Sequence, residues 1–132
     1  MTAKQPNAQV TSKIIWGALT LSMIIYGVVL QTLGKMSFFA MPTGVGEPVE
    51  LLALVAPLMI FASLMLNKIL KGRAKDAQGR MTAMIVSLAL NETIAMLGFV
   101  ATFISPEGNG FFYAANTLVA LVGNLLVFPS DI

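Results

Sequence analysis

Several residue types that build familiar functional sites are absent or scarce in this sequence. The 132 residues include no cysteine and no histidine. Without cysteine the chain has no disulfide framework and no thiolate chemistry. Without histidine it has no imidazole to bind a haem, a quinone or a metal, or to act as a general base. Charged residues make up only 11% of the chain, where about 25% is usual in a soluble domain.

The residues that are present are mostly apolar. Hydrophobic residues make up 57% of the chain, against roughly 45–50% for a soluble domain on a broader count that includes glycine. The mean hydropathy is +0.83. These values exclude a soluble globular domain, a disordered tail and a coiled coil, and they predict a small integral membrane protein of one domain. The net charge of +2 does not indicate nucleic-acid binding, because the few basic residues lie between apolar runs.

Four long stretches of the sequence carry no charge or a single one. About 20 apolar residues are enough to cross a bilayer as a helix. We therefore predict an all-α fold, an integral membrane bundle of four transmembrane helices near 14–34, 49–70, 81–104 and 111–128. Residues 1–12 are polar and are predicted to form a loose N-terminal segment.

Glycine and proline mark the predicted connections. Gly34 ends the first helix, Met41–Gly46 has the composition of a Gly/Pro loop, and Ser105–Gly110 that of a turn. Pro57 lies inside the second predicted helix. Because neighbouring helices can satisfy the carbonyl that proline leaves free in a membrane, Pro57 predicts a kink rather than a break.

Basic residues are distributed unevenly about the predicted helices. Seven lie in the N-terminal segment and in the connection between helices two and three, namely Lys4, Lys13, Lys68, Lys71, Arg73, Lys75 and Arg80. Only Lys35 lies on the other side. The positive-inside rule therefore predicts that both termini are cytoplasmic, in an inner or plasma membrane of bacterial type. Trp16 is then expected at the inner interface.

Glu92 is the one charged residue of the third predicted helix, and it lies at the middle of that helix. A charged side chain at this depth costs about 2.5–3.5 kcal/mol on insertion scales. Low dielectric favours the protonated form of a carboxyl group, so such a group is suited to carry one proton, or Na⁺ if neighbours supply oxygen ligands. The alternative is a protonated glutamate that holds helices together. Asn91, Thr93 and Ser87 are the nearest candidate helpers for ion binding.

A helical wheel of the third helix separates two surfaces. Small and polar residues form one arc, suited to close helix packing: Ser87, Asn91, Ala95, Gly98 and Thr102. Bulky residues form another arc that includes Glu92: Ile85, Leu88, Met96, Phe99 and Phe103. The wheel therefore predicts that Glu92 faces a partner subunit or an ion-exchange path, unless the fourth helix covers it. Asn116 and Asn124 share one face of the fourth helix, and we expect them to form interhelical hydrogen bonds.

The third helix resembles a known family in its central motif. Ser87–Ile94 reads Ser-Leu-Ala-Leu-Asn-Glu-Thr-Ile and is followed by Gly98–Ala101. This pattern resembles the second helix of the proteolipid c subunit of rotary ATP synthases, and Lys71–Asp76 resembles the short basic loop that joins that family's two helices. The resemblance implies that Glu92 faces outward from a ring of subunits and carries one ion per step.

The sequence thus predicts ion translocation that uses Glu92, as a c-subunit-like protein or subunit. The alternatives are a noncatalytic structural or assembly subunit of a larger membrane complex, and a small homo-oligomeric channel or exporter. The expected partners are the lipid bilayer and other copies of the chain or other membrane subunits. No catalytic motif, metal cluster or cofactor site is found in the sequence, and no nucleic-acid partner is expected.

Overall fold

The computed structural model describes residues 7–33, 48–104, 110–130 and 132. Within these ranges all regular structure is helical, which confirms the all-α prediction. The helices are α1 (Ala8–Thr32), α2 (Pro48–Val55), α3 (Met59–Arg73), α4 (Ala77–Ile104) and α5 (Phe111–Leu126). Outside the described residues lie Lys4, Gly34, Lys35, the predicted loop 41–46 and most of the predicted turn, 105–109.

Helix α1 begins earlier than the sequence predicts, so part of the segment expected to be loose is helical. Asn7 caps the helix, because its side chain accepts a hydrogen bond from the Gln9 main-chain N–H at 3.0 Å. Ser12 is buried, and its hydroxyl donates to the Ala8 carbonyl at 2.6 Å. A capping asparagine therefore starts the helix at Ala8, ahead of the apolar run on which the prediction was based.

The second predicted helix is built from two helical segments joined by a 3-10 turn. The turn covers Ala56–Leu58 and has Pro57 at its centre. Proline lacks the main-chain N–H that an α-helix needs at an interior position, so the chain tightens locally and then continues as α3. Together the two segments give one apolar stretch, Leu51–Arg73, that is long enough to cross a membrane.

Helix α4 occupies the centre of the bundle and packs against α1, α3 and α5. It starts at Ala77, four residues before the predicted boundary, and the Asp76 carboxylate accepts the Gly79 N–H at 2.8 Å in its first turn. In its most apolar 18-residue stretch 44% of residues are buried, against 17% in α1. The helix that carries Glu92 is therefore the one with the most neighbours to position its side chains.

Three helical stretches are long and apolar enough to cross a membrane: α1, Leu51–Arg73 and α4. Helix α5 is apolar but has 16 residues, which give a length of about 24 Å against a hydrocarbon core of about 30 Å. The predicted fourth helix, near 111–128, is thus shorter in the structure by two residues at its C-terminal end. Many large apolar side chains on the bundle surface are exposed, including Ile14, Phe61, Leu118 and Leu125.

At one end of the bundle lie the start of α1, the α3–α4 connection and the C-terminal residues. Trp16 of α1 packs in the same apolar cluster as Met81 of α4, Val127 and Ile132. Every basic residue that the structure describes belongs to the parts of the chain near this end: Lys13, Lys68, Lys71, Arg73, Lys75 and Arg80. The opposite end has no basic residue within the described ranges.

Candidate functional site

Glu92 lies near the middle of α4, fifteen residues after Ala77 and twelve before Ile104. At 1.5 Å per residue these separations correspond to about 22 Å and 18 Å along the helix axis. The side chain is partly exposed and lies between the buried and the lipid-facing sides of the helix. A carboxyl group therefore stands about half-way along the longest helix, at the edge of the bundle core.

Two hydroxyl groups of α1 donate hydrogen bonds to this carboxyl group. The Ser22 hydroxyl and the Tyr26 hydroxyl each lie 2.8 Å from Oε1 of Glu92. Ser22 and Tyr26 are four residues apart, so they project from one face of α1 on consecutive turns. The site is consequently shared between two helices, with the acid on α4 and both hydroxyls on α1.

Aromatic packing holds the Tyr26 ring in place beside the acid. The ring centroids of Tyr26 and Phe99 are 5.2 Å apart, and the Phe99 ring in turn stacks on Phe103 at 6.1 Å. Such contacts are worth about 0.5–1.5 kcal/mol beyond the area they bury. They restrict the tyrosine side chain, so its hydroxyl remains directed at Oε1.

The surroundings of Glu92 include a neighbour that the wheel did not indicate. Helix α1 covers part of the acid, rather than the fourth predicted helix. The wheel could not show this, because it gives directions about one helix axis and says nothing of which neighbour lies there. Ser22 and Tyr26 were missed for the same reason. Their signal in the sequence is a pair of hydroxyl residues four apart within an otherwise apolar helix.

The three predicted helpers make their hydrogen bonds elsewhere. Thr93 is exposed, and its hydroxyl donates to the Ala89 carbonyl of its own helix at 2.9 Å. Ser87 and Asn91 are fully buried and are directed towards α3 and α5. Residues that are neighbours of Glu92 in sequence point away from it, because successive residues of an α-helix are rotated by about 100°.

Ser87 and Asn91 belong to a hydrogen-bonded network that joins four helices. The Ser63 hydroxyl of α3 lies 2.6 Å from the Ser87 hydroxyl and 2.6 Å from Oδ1 of Asn91. Nδ2 of Asn91 donates to Oδ1 of Asn124 on α5 at 2.9 Å, and Nδ2 of Asn124 donates to the Thr20 hydroxyl of α1 at 2.9 Å. The polar groups of this network thus satisfy one another, as burial away from water requires.

The indole group of Trp16 adds a further bond to this region. Its N–H donates to the Asn124 main-chain carbonyl at 2.7 Å, and its ring meets the edge of Phe128 at 5.0 Å. Asn124 is therefore held through both its side chain and its main chain. This bond ties the N-terminal half of α1 to the last turn of α5.

The small-residue arc of α4 lies against α5. A Cβ atom placed on Gly98 would lie 2.6 Å from the Phe112 carbonyl oxygen and 2.8 Å from the Asn116 Cβ, so the two helices are in close contact there. Ala95 and Thr102 are fully buried on the same arc. The Thr102 hydroxyl accepts the Tyr113 main-chain N–H at 3.1 Å, and Nδ2 of Asn116 donates to the Ile94 carbonyl at 3.2 Å.

The bulky arc is only partly exposed. Met96 and Phe103 are 46% and 43% exposed, but Leu88 is fully buried because it packs in the cluster of Trp16 and Leu19 from α1. The arc that carries Glu92 therefore faces α1 at one end and the outside of the bundle at the other.

Neither the site nor the whole chain is identified by comparison with known proteins. Comparisons with protein-family models, with curated proteins and with solved structures find no match to this chain. Within the described residues, no three His, Cys, Asp or Glu side chains lie together in a way that could hold a metal ion. The chemistry of the site consists of one carboxyl and two hydroxyl groups in apolar surroundings. The apolar helices themselves indicate an integral membrane protein in contact with lipid.

Proposed function

We propose that this chain is an ion-translocating membrane protein or subunit in which Glu92 carries a proton or another cation. The observation that carries the proposal is the position of the Glu92 carboxyl group. It is partly exposed at mid-helix and accepts hydrogen bonds from Ser22 and Tyr26. Ionisable groups within membrane helices are costly, and they commonly mark ion pathways and proton relays.

The placement of polar groups about α4 supports a functional rather than a purely structural role for the acid. The buried network around Asn91 and Asn124 already links α1, α3, α4 and α5 without using a charge. Glu92 lies outside that network, at a less buried position. A side chain that serves only to hold helices together gains nothing from a carboxyl group where an amide would make the same contacts.

The orientation that we propose follows from charge. The bundle end that gathers Lys13, Lys71 and Arg80 faces the cytoplasm, in accordance with the positive-inside rule. Both termini then lie on that side, and α5 with the residues that follow it crosses the membrane as a fourth span. Its length of about 24 Å is accommodated by local thinning of the bilayer, at a modest cost in free energy.

Transport in this proposal requires more than one chain. Among the described residues, the carboxyl group of Glu92 is hydrogen-bonded to the hydroxyls of Ser22 and Tyr26, and these three groups alone are too few to line a path across a membrane. We propose that further copies of the chain, or other membrane subunits, contribute the remainder. This arrangement agrees with the resemblance of Ser87–Ile94 to the proteolipid c subunit, a relationship that is itself part of the proposal.

Substitution of Glu92 tests the proposed function. Glu92→Gln keeps the shape and the ability to accept hydrogen bonds from Ser22 and Tyr26, but it cannot ionise. Ion flux into proteoliposomes should disappear, while the native size in mild detergent stays unchanged. Glu92→Asp shortens the side chain by one methylene group and should retain part of the flux. Normal flux through a well-assembled Glu92→Gln protein would refute the proposal.

The second candidate is a noncatalytic subunit that stabilises a larger membrane complex. The four-helix network favours it, since a rigid, internally bonded bundle suits a structural role. In that case Glu92→Gln should leave the activity and composition of the complex unchanged, whereas disruption of the network at Asn124 should release the chain from its partners. Purification in mild detergent with the subunits that accompany the chain, followed by activity measurements on the wild-type and Glu92→Gln proteins, distinguishes the two candidates.

A further inference from the structure

The Ser22 hydroxyl lies within hydrogen-bonding distance of two acceptors. Its oxygen is 2.7 Å from the Leu19 carbonyl oxygen of its own helix and 2.8 Å from Oε1 of Glu92. A serine hydroxyl has one proton to donate and two lone pairs that can accept. Ser22 can therefore donate to only one of these oxygens at a time, and rotation about its C–O bond selects which.

The protonation state of Glu92 decides between the two arrangements. An ionised carboxylate can only accept, so Ser22 must direct its proton to Oε1. A protonated carboxyl group has an O–H that needs an acceptor, and the Ser22 oxygen lies at the right distance. Ser22 then receives that proton in a hydrogen bond and turns its own proton to the Leu19 carbonyl. All three oxygen atoms remain bonded in both states, with no movement of helices.

The Tyr26 hydroxyl keeps one role in both protonation states of Glu92. It lies 2.8 Å from the same oxygen, Oε1, and can donate to it in either state. It is also the titratable group in contact with Glu92. The basic side chains of α1, α3 and α4 are far along their helices from this site. Lys13 precedes Ser22 by nine residues, Arg80 precedes Glu92 by twelve, and Lys68 lies in the C-terminal part of α3. Helix α5 has no charged residue.

We propose that the ion bound at Glu92 is a proton rather than an alkali cation, and that Ser22 is a positioning residue whose hydroxyl reverses direction when the proton binds. The proposal rests on the proposed function of Glu92 and specifies its ion. The step is an exchange with water: hydronium gives its proton to the carboxylate oxygen and becomes water, and release is the reverse.

The oxygen set explains the preference for a proton. An alkali cation is held by several oxygen lone pairs that converge on one point. Here both hydroxyls direct protons at Oε1 when Glu92 is ionised, and the nearby Thr93 hydroxyl is bonded to its own helix. A cation could enter only if Ser22 and Tyr26 both turned their protons away from Oε1, whereas a proton requires only the rotation of the Ser22 hydroxyl.

Flux and labelling with dicyclohexylcarbodiimide, which reacts with protonated carboxyl groups, test the choice of ion. In proteoliposomes the wild-type protein, purified in mild detergent together with any subunits that accompany it, should carry protons in Na⁺-free buffer. Labelling of Glu92 should decline as pH rises, and added NaCl, with choline chloride as the ionic-strength control, should not change it. Flux that requires Na⁺, or protection of Glu92 by Na⁺ alone, would overturn the proton assignment while leaving the proposed function intact. No flux under any ionic condition, or flux that survives Glu92→Gln, would instead refute the proposed function.

Infrared spectroscopy tests the role of Ser22 separately. The carboxyl C=O stretch of protonated Glu92 is the band that Glu92→Gln removes. Ser22→Ala takes away the acceptor for the carboxyl O–H, so this band should shift to higher wavenumber and the pH dependence of labelling should shift with it. Ser12→Ala is the matched control, because Ser12 lies on the same helix and its hydroxyl bonds to the Ala8 carbonyl. An unshifted band in a folded Ser22→Ala protein would disprove the reversal.

Discussion

Replacement of Gly98 by alanine is a direct test of how α4 and α5 pack. A Cβ atom at this position lies 2.6 Å from the Phe112 carbonyl oxygen and 2.8 Å from the Asn116 Cβ. The carbonyl belongs to the main chain and cannot rotate away. Helix α5 must therefore move by about 0.8 Å to reach the 3.4 Å at which ordinary van der Waals contact begins.

Such a movement would break the two hydrogen bonds on either side of the contact. The Tyr113 N–H to Thr102 bond is 3.1 Å long and the Asn116 to Ile94 bond is 3.2 Å long. Each would lengthen beyond 3.5 Å, and interhelical hydrogen bonds in membranes are worth about 0.6 kcal/mol on average. With about 1–3 kcal/mol for overpacking, the expected loss in the free energy of unfolding is about 2–4 kcal/mol.

The assay is reversible unfolding in mixed micelles of increasing dodecyl sulfate content. Trp16 is the only tryptophan in the chain, and its indole group is bonded to α5, so its emission reports the loss of that contact. Gly72→Ala is the control, because a Cβ at Gly72 meets nothing within 4 Å. Gly98→Ala should unfold at a clearly lower detergent fraction than Gly72→Ala. Equal transitions for the two variants would show that α4 and α5 are not in close contact at Gly98.

Two further predictions concern the network and the topology. Asn124→Leu should lower the free energy of unfolding by about 1–3 kcal/mol, because it leaves the buried Asn91 amide unpaired and removes the donor to the half-buried Thr20 hydroxyl. Leu125→Ala, at the exposed neighbouring position, should change the free energy of unfolding little. Similar losses in the Asn124→Leu and Leu125→Ala proteins would argue against the network. For topology, a reporter that works only in the cytoplasm should be active when it is fused after Ile132. A reporter that works only outside the cell should be active when it is inserted between α1 and α2. A C-terminal reporter active solely outside the cell would reverse the proposed orientation.

The fold could be predicted from the sequence to the extent that it depends on apolar runs. Long charge-free stretches identify membrane helices because each such helix must be apolar along its own length. The predicted helix boundaries differ from those in the structure where a single polar residue determines the start of a helix. Asn7 starts α1 and Asp76 precedes α4, and each caps its helix through a local hydrogen bond that hydropathy does not register.

The candidate site could be predicted only in part, because it depends on which helices are neighbours. The lone acid at mid-helix was evident from the position of Glu92 in its apolar run. The hydrogen-bonding partners of Glu92 were not evident, since Ser22 and Tyr26 lie 70 and 66 residues away in sequence. Asn91 and Ser87 were assigned to the acid because they are close in sequence. Their rotation about the helix axis instead places them in the core.

Helix α4 thus separates two kinds of polar chemistry within a few residues. On its buried side, Asn91 donates and accepts within a network of neutral groups that has no need to change charge. On its more exposed side, Glu92 is bonded to hydroxyls that can serve an ionised or a protonated acid equally well. The separation has a physical advantage, because a charge change beside the network would reorder hydrogen bonds that hold four helices together. With Glu92 turned towards α1, the same change requires only the rotation of a hydroxyl group at Ser22. Under the proposed function, the bundle can therefore remain rigid while Glu92 changes charge.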